Sequence, residues 1–267
     1  MIIDAHQHVW DLERSPYRWL GPQTPEWNRT FTFDELRPQL VRNGVDATVL
    51  VQSDDDDRDT DLMLEQTAPE VAAIVAYVPL DKPERAAERL AELRKDPRVV
   101  GIRNLIHDLP DPDWILRPEV DEGLSVLEQA DVTFDYVAVL PRHLEHVPTL
   151  SERHPDLRIV IDHLAKPPLG EREPWWTQIE TAAQNPLVHA KLSGLYGEPL
   201  QAYVDRALEV FGPTRLMYGG DWPISTAFGG YDQTFQTLAA TLEGLSDPDR
   251  TEIYGGTAQR FYRIPRS

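Results

Sequence analysis

The feature that most constrains the fold is an eightfold alternation of short apolar runs with longer amphipathic segments. The short runs are rich in β-branched residues and predict strands at 2–5, 47–51, 73–78, 99–102, 133–139, 158–161, 188–192 and 216–219. Helical signals follow at 33–43, 59–67, 82–95, 118–130, 143–153, 174–184, 199–211 and 231–245, with a short terminal helix at 248–255. Strict alternation of this kind predicts parallel strands joined by right-handed crossovers.

Eight such units predict an α/β fold, a (β/α)8 TIM barrel that forms a single domain over residues 1–267. A barrel of this type typically takes about 250 residues. An open, doubly wound sheet is the alternative, but no Gly-x-Gly-x-x-Gly motif follows the first run. The long segment 11–32 carries Tyr17, Trp19 and Trp27, and we expect it to fold over the barrel mouth.

Composition narrows the classes of function. The chain has no cysteine, which excludes disulfides, thiolate catalysis and cysteine-ligated zinc. Its 45 acidic and 26 basic residues give a net charge of −19, which disfavours nucleic acid as a partner. The first residues lack the pattern of a signal peptide, so we expect none, and no apolar run reaches the ~18 residues that span a bilayer. We therefore expect a cytoplasmic protein with no membrane partner, and the sequence fixes no oligomeric state.

Reactive side chains gather where the predicted strands end, and this is the end of a (β/α)8 barrel that carries the chemistry. The candidates are His6 and His8 after the first strand, Gln52 after the second, Arg103 and His107 after the fourth, His163 after the sixth, and Asp221 and Trp222 after the eighth. Three of the eight histidines and one aspartate thus meet at one mouth from distant parts of the chain.

His6 and His8 lie two residues apart, so on a strand both rings point to the same face. Neutral imidazoles in this arrangement suit a divalent metal of the zinc type, with His6, His8 and Asp221 as candidate ligands. The alternative is a pair of hydrogen-bonded histidines in a polar loop. Asp221 at a strand end suits a general base acting on water, or a helix cap. Arg103 suits a carbonyl or carboxylate partner, or a structural ion pair.

Other polar features receive structural interpretations. The acidic run 54–57 lacks the glycine and distal glutamate of a calcium loop, and we expect a solvated helix N-terminus. His143 and His146 share a helical face and are expected at the surface. Lys191 lies within a predicted strand and is expected to be a buried structural residue. The chain has no Gly-x-Ser-x-Gly motif, which disfavours a serine esterase.

The same residues carry a family resemblance. The motifs, in chain order, are DAHQHVWD at 4–11, YRWL at 17–20, GIRN at 101–104, PRHL at 141–144, IDHLAKPP at 161–168, KLSGL at 191–195, GGDWP at 219–223 and GTA at 256–258. In these motifs the chain resembles the lactonase branch of the amidohydrolase superfamily, which includes fuconolactonase-like and 2-pyrone-4,6-dicarboxylate lactonases. The likeness covers nearly the whole chain.

The resemblance implies active-site roles for His6, His8, His163 and Asp221, and substrate binding by Arg103. Two departures argue against a binuclear metal centre. Strand four offers Arg103 where a carbamylated lysine would bridge two metals, and strand five carries no histidine before His143. The resemblance to this branch implies catalysis with one metal or with none. One zinc-like ion and metal-independent catalysis are therefore both open.

The resulting hypothesis is a lactone hydrolase. Asp221 would activate water, while His163 with His6 and His8, or a metal they hold, would polarise the ester carbonyl. Arg103, Gln52 and His107 would bind the substrate, and aromatic rings of the mouth, Trp19 and Trp222, would stack on it.

The aromatic residues and the scarcity of cations favour a neutral aldonolactone over an acidic (dicarboxylate) lactone. A decarboxylase of a small aromatic acid, an amidase or deaminase, and a carbohydrate-binding barrel without activity are the alternatives.

Overall fold

In a computed structural model that describes residues 1–139, 141–168, 170–197 and 200–265, eight parallel strands pair in sequence order. They are β1 (Ile3–Gln7), β2 (Ala47–Val51), β3 (Val71–Ala76), β4 (Val99–Asn104), β5 (Thr133–Tyr136), β6 (Ile159–Ile161), β7 (Val188–Leu192) and β8 (Leu216–Tyr218). All eight predicted strands are confirmed. The third begins and ends two residues earlier than predicted, and the fifth ends three residues earlier.

Helices follow the strands as the alternation predicted. They are α1 (Phe33–Arg42), α2 (Asp57–Leu64), α3 (Pro83–Leu93), α4 (Pro118–Gln129), α5 (Pro141–Arg153), α6 (Trp175–Ala182), α7 (Gln201–Phe211), α8 (Gly230–Thr241), α9 (Asp247–Thr251) and α10 (Thr257–Phe261), the last two joined by a π-helical turn at Glu252–Gly256. The predicted start of the seventh helix at Pro199 lies outside the described residues. Helix α2 begins two residues earlier than predicted because the Asp56 carboxylate accepts a hydrogen bond from the Arg58 N–H and caps it.

The first and last strands meet just beyond their carboxyl ends. Gln7 and Trp222 form a parallel bridge there. The His8 N–H donates to the Trp222 carbonyl at 2.7 Å, and the Asp221 N–H donates to the His6 carbonyl at 2.8 Å. Together with the unbroken order β1 to β8, these contacts produce the (β/α)8 barrel that the sequence predicts. They also bring four candidate site residues side by side through their backbones, His6, His8, Asp221 and Trp222.

Two apolar layers surround the strands. Alternate strand side chains point into the barrel and pack on one another, and the C-terminal segment closes its lower end with Phe261, Tyr262 and Ile264. The other strand side chains pack outward against the helices in a larger layer. Both faces of the sheet are therefore covered by apolar contacts. This explains why strands such as β3 (Val71–Ala76) and β6 (Ile159–Ile161) read as continuous apolar runs rather than alternating ones.

The segment 11–32 crosses the carboxyl end of the barrel, as predicted. Trp10 and Phe31 exchange backbone hydrogen bonds where the segment leaves and returns. Between them, the Trp19 indole N–H donates to the Ser53 carbonyl at 2.8 Å, and the Trp27 indole N–H donates to the Ile224 carbonyl at 3.2 Å. The segment is thus attached both to the end of β2 and to the loop that follows β8.

Within the described residues, no helix combines the length and the apolar character that crossing a membrane would need.

Candidate active site

Three of the predicted residues meet at the junction of β1 and β8. His6 lies in β1 and His8 directly after it, and their Nε2 atoms are 3.2 Å apart. The Asp221 Oδ1 atom lies 3.5 Å from His8 Nε2 and 3.8 Å from His6 Nε2. All three side chains are buried. The predicted grouping of His6, His8 and Asp221 is therefore present in the structure.

His163 completes the group from the other side of the barrel. Its ring centre lies 4.5 Å from that of His6, and its Nδ1 lies 2.9 Å from the Ser193 hydroxyl, which follows β7. The residue begins a run of four non-glycine residues, 163–166, that all have positive φ. Such backbone conformations are unfavourable and persist only where surrounding contacts hold them, which is common at functional sites.

Asp221 is also held in a left-handed conformation, with φ of 50°. Its Oδ2 accepts a hydrogen bond from the Tyr196 hydroxyl at 2.9 Å. Burial opposes ionisation of this carboxyl, but the facing imidazoles of His163, His8 and His6 hold its pKa below the usual value for aspartate. The carboxylate is thus ionised at neutral pH, with Oδ2 occupied and Oδ1 turned towards the histidines.

Burial has the opposite effect on the histidines, because it disfavours their charged form. It lowers the pKa of His163 to about 4 and lowers the pKa of His8, and it lowers the pKa of His6 well below its usual value. At neutral pH all three rings are therefore neutral. Each ring can then donate from one nitrogen and accept, or bind a metal, with the other.

Arg103 projects from β4 into the same space. Its Nη1 donates to Asp162 Oδ2 at 3.1 Å and lies 3.3 Å from His6 Nε2, and its Nη2 donates to the Gln52 carbonyl. The Gln52 side chain in turn donates to the Arg103 carbonyl at 2.9 Å. The guanidinium is fixed by these contacts and faces the cavity with the rest of its surface.

A second row of charged groups lies beneath these residues, and its contact with His6 was not predicted from the sequence. Lys191 of β7 is fully buried, and its Nζ lies 3.1 Å from His6 Nδ1 and 3.1 Å from Asp162 Oδ1. It also donates to Asp135 of β5, which accepts a further bond from the Tyr262 hydroxyl. Charged residues inside short apolar strands were the available signal for this row.

The predicted residues border a cavity of about 320 Å³ at the barrel mouth. Its lining comprises His8, Trp19, Thr24, Trp27, Ser53, Arg103, Leu105, His107, Asp108, Val137, His163, Lys166, Asp221 and Ile224. Six of the predicted site residues thus line one space. Trp27 and Lys166 line it as well, although neither was among the predicted site residues.

Three predicted residues lie elsewhere. His6 is fully buried below His8. Gln52 is also fully buried and contacts Arg103 rather than the cavity. Trp222 packs edge-on against Phe31, with ring centres 5.5 Å apart, because the positive φ of Asp221 directs the following residue away from the mouth. Neither Gln52 nor Trp222 contributes to the cavity lining.

The expected surface positions of His143 and His146 are wrong. Both are buried on α5, and His146 Nε2 lies 3.1 Å from the Pro112 carbonyl in the loop that covers it.

The acidic run 54–57 is only partly solvated. Asp54 is buried, and its Oδ2 accepts hydrogen bonds from the Ser15 hydroxyl at 2.7 Å and from the Tyr17 N–H at 3.0 Å. The segment over the mouth covers this carboxylate.

The donor set at the centre fits a divalent metal. His6, His163 and Asp221 each offer one ligand atom, and these atoms lie within 4.8 Å of one another. Ligands at zinc–nitrogen distances of about 2.0–2.1 Å in a tetrahedron lie about 3.3 Å apart. The 3.2 Å between the Nε2 atoms of His6 and His8, and the 3.5 Å from His8 Nε2 to Asp221 Oδ1, match that spacing. Imidazole and carboxylate are ligands that zinc accepts.

Comparisons with known proteins show relatives that match nearly the whole chain. The chain is 38% identical to an L-fucono-1,5-lactonase of Burkholderia ambifaria, across 99% of this chain and 96% of that protein. It is 32% identical to an L-fucono-1,5-lactonase of Burkholderia multivorans, across 98% and 96%. The crystal structure of an amidohydrolase from Burkholderia multivorans with bound zinc superposes with a TM-score of 0.91 at 31% identity, covering 99% of this chain and all of that one.

More distant structures, among them a dihydroxybenzoic acid decarboxylase at 17% identity, share the fold alone. The sequence model described as Amidohydrolase matches residues 3–264. The chain therefore belongs to the amidohydrolase family.

Proposed function

We propose that the protein hydrolyses a sugar lactone to the open-chain aldonic acid. The observation that carries the proposal is an ionised Asp221 beside neutral histidines at the floor of a cavity large enough for one small ring. The two relatives named L-fucono-1,5-lactonase, at 38% and 32% identity, support a sugar lactone as the substrate.

Asp221 is the proposed general base. The Tyr196 hydroxyl occupies Oδ2, so Oδ1 is the atom left to accept a proton from water. Attack of that water oxygen on the lactone carbonyl carbon forms the tetrahedral intermediate without a covalent bond to the enzyme. When the ring C–O bond breaks, the proton held on Oδ1 passes to the leaving alkoxide, and Asp221 is ready for another turnover.

His163 and Arg103 are the proposed stabilisers of the developing oxyanion. If the Ser193 hydroxyl donates to Nδ1 of His163, the ring carries its hydrogen on Nε2 and can donate it to the carbonyl oxygen. Arg103 is held rigidly by Asp162 and by Gln52, whose proposed role is to position the guanidinium rather than to touch the substrate. Preorganised donors of this kind need no rearrangement during the reaction.

A divalent metal would be held by Asp221 together with His6, His8 and His163. When bound, a zinc-like ion would supply Lewis-acid polarisation of the carbonyl and lower the pKa of a bound water. The zinc-bound relative at 31% identity supports this option. The neutral rings and fixed cations described above support metal-independent hydrolysis equally, and chelation separates the two.

A neutral aldonolactone is the proposed substrate class. Trp19, Trp27 and Ile224 are apolar members of the lining and suit the apolar face of a sugar ring, while His107 and Asp108 offer polar contacts. An acidic lactone is the second candidate, favoured by the presence of both Arg103 and Lys166 in the lining. A lactone carboxylate would bind between these two cations.

The test is a pH-indicator assay on a panel of neutral and acidic lactones, with the spontaneous rate subtracted and with or without prior chelation. We expect proton release on a few related aldonolactones. Asp221→Asn should lower kcat at least ~10²-fold, the usual contribution of a positioned base. Asp205→Asn, on the exposed face of α7, removes one carboxylate far from the cavity and should retain full activity. Full activity of Asp221→Asn would refute the assignment.

A further inference from the structure

The proposed hydrolysis uses no group on β7, yet β7 places a fully buried lysine against the site. The Lys191 ammonium lies 3.1 Å from His6 Nδ1. Inside the barrel it also contacts the carboxylates of Asp135 and Asp162. A buried charge is costly to desolvate, and two carboxylates would be sufficient partners for it. The third contact, with an imidazole nitrogen, therefore calls for a separate explanation.

The position of the hydrogen on the His8 ring can be assigned first. Its Nδ1 lies 2.7 Å from the Val51 carbonyl oxygen, which can only accept. Nδ1 of His8 therefore carries the hydrogen, and in the neutral ring Nε2 has only a lone pair. That lone pair faces His6 Nε2 at 3.2 Å. Two lone pairs do not face each other at this distance, so either a cation lies between the nitrogens or His6 Nε2 carries a hydrogen.

The two possibilities require opposite tautomers of His6. A metal bound by both Nε2 atoms needs the His6 hydrogen on Nδ1, where Asp162 Oδ1 at 3.4 Å would accept it. A hydrogen bond from His6 Nε2 to His8 needs Nδ1 to be an acceptor, and Lys191 is the donor that faces it. The neighbours of Nδ1 therefore decide which state His6 adopts.

The geometry at Nδ1 favours the lysine. Lys191 Nζ makes a hydrogen bond of 3.1 Å there, whereas Asp162 Oδ1 lies farther from Nδ1, at 3.4 Å. Arg103 Nη1 is a competing donor to the other nitrogen, His6 Nε2, but its distance of 3.3 Å is longer than the 3.1 Å from Lys191 to Nδ1, and its other N–H donates to Asp162 Oδ2 at 3.1 Å. A continuous chain of donors then runs from Lys191 through His6 and His8 to the Val51 carbonyl.

We propose that Lys191 is a positioning residue that holds His6 in the tautomer with its hydrogen on Nε2, and that it thereby weakens binding of a divalent metal at this site. A metal can bind both Nε2 atoms only after the His6 hydrogen moves to Nδ1 and the bond from Lys191 breaks. This proposal rests on the proposed function for the role of His6. It deepens that function by assigning Lys191 as the residue that sets the metal requirement.

The test compares wild type with Lys191→Met, which keeps the length of the side chain and removes its donors. Tyr262→Phe is the matched control, because it removes a hydrogen bond of 2.7 Å to Asp135 in the same row without touching His6. Long-range ¹H–¹⁵N NMR on histidine-labelled, chelator-treated protein reports which nitrogen of His6 carries the hydrogen. We expect Nε2–H in wild type and in Tyr262→Phe, and Nδ1–H in Lys191→Met.

Competition with a chromophoric chelator then measures the zinc Kd of each protein. Changes next to a metal ligand typically alter affinity about 10–100-fold, so Lys191→Met should bind zinc at least ~10-fold more tightly than wild type. Tyr262→Phe should stay within about threefold of wild type. If Lys191→Met does not fold, Lys191→Met/Asp135→Asn removes the unpaired carboxylate together with the lysine, and the same shifts are expected.

An Nδ1–H signal for His6 in metal-free wild type would overturn the proposal, as would equal zinc affinities of wild type and the lysine variant. Neither readout involves a lactone, so a failure of the proposed hydrolysis would not alter them.

Discussion

Gly194 offers a sharp test of how tightly the site is packed. It lies in the loop after β7 with φ of 58°, and a Cβ added there would lie 2.5 Å from His163 Nδ1 and 2.9 Å from Asp221 Oδ2. Gly194→Ala therefore presses directly on the proposed oxyanion donor and on the proposed base. Gly44 is the matched control, since its φ is 64° and an added Cβ would meet no atom within 4 Å.

The magnitudes follow from these distances. An ordinary contact would require the His163 ring to retreat by about 1 Å, and displacements of that size can cost ~10²-fold in rate. The retreat would also break the bond of 2.9 Å to the Ser193 hydroxyl, which would cost about 1 kcal/mol. A left-handed alanine costs a further ~1–2 kcal/mol in both variants. For a chain of this size each kcal/mol lowers the Tm by roughly 2–4 °C.

The assay pairs lactone turnover with thermal unfolding. We expect Gly44→Ala to lose a few degrees of Tm and to keep wild-type kcat. Gly194→Ala should lose more Tm and about 10²-fold in kcat. If Gly194→Ala retained kcat within threefold of wild type, the contacts among the glycine, His163 and Asp221 would not be the ones that set the reaction geometry.

Three further outcomes are expected. Tyr196→Phe removes the donor to Asp221 Oδ2. It should lower kcat about tenfold with little change in KM, because a hydrogen bond to a charged group contributes about 1.5–3 kcal/mol. An unchanged kcat in steady-state kinetics would contradict this. Burial lowers the pKa of His163 to about 4 against 6.5 when unfolded, so the unfolded state binds more protons between these values and stability falls as the pH drops through them. Between pH 7 and 5 this histidine should cost about 2 kcal/mol, measured by urea unfolding as the difference from His163→Gln. Trp19→Ala should raise KM about tenfold through loss of stacking on the substrate, and an unaltered KM would place the sugar elsewhere in the cavity.

The barrel could be predicted from sequence because its signals are local. Runs of β-branched residues mark strands such as 47–51 and 188–192, and turns such as Asn43-Gly44 mark helix ends within a few residues. Closure between β1 and β8 was predicted only through the count of eight, since the contacts of His8 and Asp221 with the opposite strand join residues about 215 positions apart.

The candidate site was predictable where a residue's position along a strand determines where its side chain points. His6 and His8 follow that rule, and His163 and Asp221 lie within three residues of a strand end, although both have positive φ. Trp222 does not follow it, because the positive φ of Asp221 reverses the direction of the next side chain, and aspartate gives little sign of that conformation in sequence. Tyr196 was missed because it lies in a loop, where spacing carries no information about its contact with Asp221.

Charge does not exclude a metal from this site. The buried carboxylates near His6 are Asp135, Asp162, Asp221 and Asp4, which accepts a hydrogen bond from the His6 N–H, and the buried cations that pair with them are Arg103 and Lys191. A divalent ion would therefore be added to an excess of negative charge. What differs between the two states is the hydrogen on His6, which must leave Nε2 before a metal can bind there. Under the proposed role of Lys191, the metal requirement is therefore set by the residue that faces Nδ1 of His6, because that residue determines the cost of moving the hydrogen.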